Sequence, residues 1–89
     1  MLKYTRLKHF CQINSLYLKT TKYICDNEYK CAFDNGVQIY CLATERNIYP
    51  EATGKTEKES LQAMCSIIRG TKIRTADLLE IDVPYNIGL

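Results

Sequence analysis

Apolar positions change period along this chain of 89 residues. Leu61, Met64, Cys65 and Ile68 recur at the three- and four-residue spacing of one helical stripe. Thr56-Glu57-Lys58-Glu59 stands just before that stripe and reads as a capping box. In such a box the Thr56 hydroxyl accepts from the Glu59 N–H, and the Glu59 carboxylate reaches back to the Thr56 N–H. Arg69 falls in the last turn, and Gly70 supplies the left-handed residue that ends a helix. The spacing predicts a helix over 57–69.

Upstream of it the period is two. Asn35-Gly36 suits the tight turn of a hairpin, because both residues accept a positive φ. It predicts strands at 29–34 and 37–44. A turn at Asp26-Asn27-Glu28 would join the first of these to a strand at 16–25, and residues 2–10 read as a fourth strand. The stretch 45–55, with Pro50 and Gly54, reads as a loop into the helix. Beyond Gly70, residues 78–83 read as an edge strand closed by Pro84. The alternative there is a short helical turn capped by Thr75.

The expected fold is α+β, one small domain over 1–89 in the order β-β-β-β-α. Three or four antiparallel strands carry one helix on one face, and 70–89 is a tail or an edge strand.

Side chains alternate between the faces of a sheet. With a three-residue first turn, one face would collect Leu16, Leu18, Ile24, Val37 and Ile39, with Ala32, Cys41 and Ala43. That aliphatic face suits the helix. The other would carry Tyr17, Lys19, Tyr23, Tyr29, Phe33 and Tyr40, with Cys25 and Cys31, and Lys22 and Lys30 on the same hairpin. A two-residue turn would exchange the faces of strand 16–25 and undo this segregation. Tyrosine beside lysine suits contact with a protein, including a second copy of the chain. It also suits base stacking with phosphate contacts. The plainer alternative is that another segment of the chain covers it. One helical stripe covers one side of a sheet, which leaves the aromatic side as the candidate binding surface.

Charge sharpens this by halves. Residues 1–30 carry six Lys/Arg and two acids, whereas residues 31–89 carry six and eight. A basic first half attracts an anionic partner, although a pI of 8.3 is modest for a dedicated nucleic-acid domain. The composition is that of a globular chain, 46% hydrophobic and 25% charged, with no apolar run long enough to span a bilayer. No apolar segment follows the basic start as it would in a secretory leader. With five cysteines, an odd number, this favours free thiols in a reducing cytoplasm.

Candidate chemistry adds little. No cysteine pair has the C-x-x-C spacing, and His9 is the only histidine, so neither a zinc site nor a Cys–His nucleophile is selected. Gly54-Lys55-Thr56 echoes the end of a phosphate-binding loop, but Tyr49 stands where that loop needs its first glycine. The reading is a non-enzymatic chain without a cofactor or metal.

Two resemblances bear on function. A sheet followed by a helix, with Gly54-Lys55-Thr56 and Glu59 at the junction, looks like the arm-binding modules of phage integrases and plant AP2-type domains. That resemblance covers about residues 15–69 and implies DNA contact through the sheet. In being short and rich in Ile, Lys, Asn and Tyr, the chain is similar to small early proteins of large AT-rich bacteriophages. That resemblance implies a host-takeover or anti-defence protein that inhibits a partner in the host cytoplasm. The leading expectation is therefore a regulator or inhibitor that occupies a partner protein. A small nucleic-acid-binding module is the alternative, and a membrane partner is not expected.

Overall fold

The computed structural model describes residues 5–34, 36–41 and 43–88. The fold is α+β, with helices packed on antiparallel sheets, as the sequence predicts. Its strands divide into two sheets, and a second helix stands at the start.

That first helix, α1, spans Thr5–Ile13. The expected strand at 2–10 is thus corrected to a helix, residues 2–4 lying outside the described residues. Leu7, Phe10 and Cys11 recur at helical spacing and are the residues α1 buries. Its end is a Schellman turn. Ser15 takes φ 55°, the Leu16 N–H reaches the Cys11 carbonyl at 2.8 Å, and the Ser15 N–H reaches Gln12 at 3.4 Å.

Strands β1 (Leu18–Tyr23) and β2 (Glu28–Phe33) form a hairpin, with Leu18 opposite Phe33 and Tyr23 opposite Glu28. The other side of β2 pairs with β5 (Glu51–Gly54), so the first sheet runs β1-β2-β5. The second sheet runs β4-β3-β6-β7, from β3 (Gln38–Cys41), β4 (Arg46–Ile48), β6 (Lys72–Arg74) and β7 (Glu80–Asp82).

The expected Asn-Gly hairpin is corrected accordingly. Asn35 lies outside the described residues. Gly36 has the expected left-handed φ of 66°, but the strands flanking it belong to different sheets. Both sides of β2 are taken by β1 and β5, and both sides of β3 by β4 and β6. The glycine turns the chain from one sheet to the other. The expected loop at 45–55 likewise contains two short strands, with buried Pro50 between them. The expected edge strand at 78–83 is present as β7, followed by Pro84. Thr75 caps no helical turn. Its hydroxyl accepts from the Leu79 N–H at 3.2 Å and closes the β6–β7 loop.

Helix α2 spans Glu57–Ile68 and starts at the expected Thr56 cap, with the Glu59 carboxylate accepting from the Thr56 hydroxyl at 3.4 Å in place of the expected Thr56 N–H. Thr56 is extended at φ −129°, and its Oγ1 accepts from the Glu59 N–H at 3.1 Å. A cap of this kind contributes about 1 kcal/mol. The helix lies over β5 and β2 and reaches β1 only marginally. Met64, Cys65 and Ile68 are buried, with Leu61 half-buried beside them.

In the second sheet, Ile48, Ile39, Ile73 and Ile81 stand opposite one another across all four strands. Ile39 and Ile73 join Met64, Ile68, Val37 and Leu7 in one apolar cluster. The other side of the β6–β7 hairpin is ionic. Lys72 lies 3.6 Å from Glu80 and 3.9 Å from Asp82, and Arg74 lies 3.4 Å from Glu80. After β7 the chain stays engaged, with Val83 and Ile87 buried in the same cluster. Among the described residues no helix is long and apolar enough to cross a membrane.

Candidate binding surface on the first sheet

The β1–β2 register decides which side chains share a face. The turn holds residues 24–27, with Asn27 at φ 51°, so even positions of β1 lie opposite odd positions of β2. This has the parity of the two-residue turn rather than the three-residue one, and the expected aromatic face is corrected for that reason. Leu18, Thr20 and Lys22 share the α2 side of the sheet with Phe33, Cys31 and Tyr29. Lys19, Thr21 and Tyr23 share the outer side with Ala32, Lys30 and Glu28.

The expected site residues therefore separate. Phe33 packs against the core, and Cys31 is fully buried within it. Tyr40 lies in the second sheet opposite Asn47, half exposed. Tyr17, two-thirds exposed, precedes β1 and accepts the Asp34 N–H on its carbonyl at 2.7 Å. Of the expected aliphatic face, Ile24 projects into solvent at the hairpin tip, while Leu16, Val37 and Ile39 are buried.

What remains on the hairpin is two groups: Lys19, Tyr23 and Lys30 on the outer side, and Lys22 with Tyr29 on the other. The Lys22 ammonium stands 5.8 Å from the centre of the Tyr29 ring directly opposite. Lys30 stands 6.0 Å from the Tyr23 ring and makes an ion pair with Glu51 on β5. The hydrogen bond to Glu51 is the main reason the Lys30 pKa rises, with the Glu51 charge adding to it. Each of these lysines thus has an aromatic ring beside it. Lys19 is exposed and makes no ion pair among the described residues.

Beside β1 lies a cleft of about 690 Å3 between α1 and α2. Leu7 and Cys11 line it from α1, Leu16 and Leu18 from the β1 side, and Leu61 from α2. Lys8, Tyr17 and Glu57 also line it, and Lys8 and Glu57 are exposed. Sequence reasoning missed this cleft because it missed α1. The spacing of Leu7, Phe10 and Cys11 was the signal that could have found it.

The thiols form two classes. Cys11, Cys31 and Cys65 are buried; Cys25 is exposed and Cys41 half-buried. Burial pushes the Cys31 thiol up to about 12 and the Cys11 thiol to about 11, and raises Cys65 as well. Cys41 is shifted down, chiefly by the Thr44 hydroxyl and the N–H of the same residue. Among the described residues no group of three His, Cys, Asp or Glu side chains is placed to hold a metal ion.

At pH 8 an aromatic disulfide reagent should therefore titrate Cys25 and Cys41 in the folded protein, and the other three thiols only after denaturation. Above pH 9 the unfolded chain ionises these three thiols while the folded chain keeps their protons. The folded state then binds more protons, so stability falls from about pH 9 toward pH 11–12. Urea midpoints at pH 8 and pH 10 test this, and Cys31→Ala should show the smaller decline.

Gly54-Lys55-Thr56 has a structural explanation in this geometry. A Cβ on Gly54 would lie 2.6 Å from both the Ser60 nitrogen and the Glu59 Cβ, so the glycine lets the end of β5 pass against the first turn of α2. A three-stranded sheet followed by a helix is present in β1, β2, β5 and α2, with β3 and β4 inserted before the third strand. No protein-family model, no curated protein and no solved structure matches this chain.

Proposed function

We propose that this chain acts by binding rather than catalysis. It regulates a partner protein by occupying it through the β1–β2 hairpin. The observation that carries this reading is the state of β1. The strand lies at a sheet edge, carries Lys19 and Lys22 with no acid, and is exposed at four of its six positions. Beside it the Tyr23 and Tyr29 rings stand next to lysine side chains, which limits the rotamer entropy that contact would remove.

The test is a photocrosslinking residue placed at Thr21 in cells, with extracts treated with nuclease before analysis. The expected adduct is a protein that survives nuclease. Lys19→Glu combined with Tyr23→Ser should weaken it by roughly thirtyfold, the effect of losing about 2 kcal/mol of contact, while the thermal midpoint stays near that of the parent. A nuclease-sensitive adduct would replace this reading with nucleic-acid binding. Adducts formed equally from Tyr40, on the other sheet, would place the surface elsewhere.

A further inference from the structure

We infer that the partner segment is an extended strand of alternating acidic and apolar residues, which adds to the free edge of β1 as a fourth strand of the first sheet. This rests on the reading above and specifies the chemistry of the partner.

Three observations converge on it. First, β1 is an edge strand of six residues, the longest edge in either sheet. Every second residue of such a strand turns its N–H and C=O outward, which is a template for another strand. Second, the cleft between α1 and α2 is lined by residues of this same edge strand. Leu18 and Thr20 line it from the inner side of β1, together with Tyr17 just before the strand. An added strand would send alternate side chains over Leu16, Leu18 and Leu61, where apolar groups are favoured.

Third, the other alternate side chains would stand on the outer side, next to Lys19 and Thr21. Lys19 has no ion-pair partner among the described residues, so an acidic residue there gains a cation that none of them neutralises. A second copy of this chain, pairing β1 with β1, would instead bring Lys19 and Lys22 toward two more lysines.

The probe is a synthetic Val-Glu-Leu-Glu-Val-Glu peptide, blocked at both ends and added to the full chain. Amide exchange and chemical shifts are read by NMR. The expected result is protection of alternate amides within 18–23 by tenfold or more, with shifts at Leu16, Leu18 and Leu61. A Val-Lys-Leu-Lys-Val-Lys peptide should bind at least tenfold more weakly, and Lys19→Glu should reverse that preference. N-methylation of every second peptide nitrogen, made in both phases, gives a sharper readout. A strand added through one edge loses binding in one phase and keeps it in the other.

Equal binding of both methylated phases, equal binding of the acidic and basic peptides, or no protection at β1 would each overturn the proposal. Should the crosslinked partner be found with β1 amides unprotected, strand addition fails while binding through the hairpin stands. Should no nuclease-resistant adduct form at Thr21 although the peptide binds, the hairpin reading of the native partner fails instead.

Discussion

Replacing Gly54 by alanine should lower stability by about 3 kcal/mol, the upper range for forcing atoms into a packed site. For a domain of this size that is a fall of roughly 15 °C in the thermal midpoint. A new Cβ would meet the Ser60 nitrogen at 2.6 Å and the Glu59 carbonyl carbon at 2.8 Å. These are backbone atoms in the first turn of a capped helix, so no rotamer change can relieve the overlap. Either β5 withdraws from β2, or α2 lifts from the sheet and exposes Met64 and Ile68. Gly36→Ala is the control. It strains a residue at φ +66°, but its Cβ would meet only the Ala76 Cβ at 3.7 Å, and about 1–2 kcal/mol is expected. Calorimetry of the two variants decides the matter. A Gly54→Ala protein that melts within a few degrees of the parent would show that the approach of strand to helix is not tight.

Ile73→Ala should cost about 4 kcal/mol, a large share of the stability of any small domain. Ile73 is fully buried and stands at the middle of the isoleucine row, with Ile39 on one side and Ile81 on the other. Its removal leaves a cavity bounded on both sides by paired strands, which cannot close in to fill it. Ile48→Ala, at the end of the same row and about one-third exposed, should cost about 1 kcal/mol because water already reaches the site. Urea denaturation of the pair measures the gradient along the row. Equal costs at the two positions would mean that the second sheet is not anchored through Ile73.

The contrast between the helices shows what was legible from residue order. Glu57–Ile68 was readable because its signals are local: a hydroxyl three residues before a carboxylate, a stripe, and a glycine past the end. Thr5–Ile13 offered only Leu7, Phe10 and Cys11, without an acidic first turn, and its end is a serine in the left-handed conformation where glycine is usual. The short strands Arg46–Ile48 and Glu51–Gly54 exist because neighbours distant in sequence complete their ladders. Asn35-Gly36 was legible as a turn, but a turn does not state whether the strands beside it pair with each other. The candidate surface followed the same rule. Lys19, Lys22, Tyr23, Tyr29 and Lys30 share one hairpin, divided between its two sides. Phe33 and Cys31 turn to the core side and Tyr40 goes to the second sheet because of the four-residue turn and the division into two sheets, neither of which composition or alternation specifies.

The two sheets are interleaved along the chain: β1 and β2, then β3 and β4, then β5 of the first sheet, then β6 and β7 of the second. Neither can be finished before the chain has visited the other. During synthesis β3 waits with one side unpaired until residues 72–74 arrive, and the apolar cluster lacks Val83 and Ile87 until the end. The pairings β2–β5 and β3–β6 join residues far apart in sequence, and such contacts are slow to form because loop closure precedes their reward. Cutting the chain after α2 leaves no smaller stable half: it strips a sheet of two strands and opens β3 to unwanted pairing.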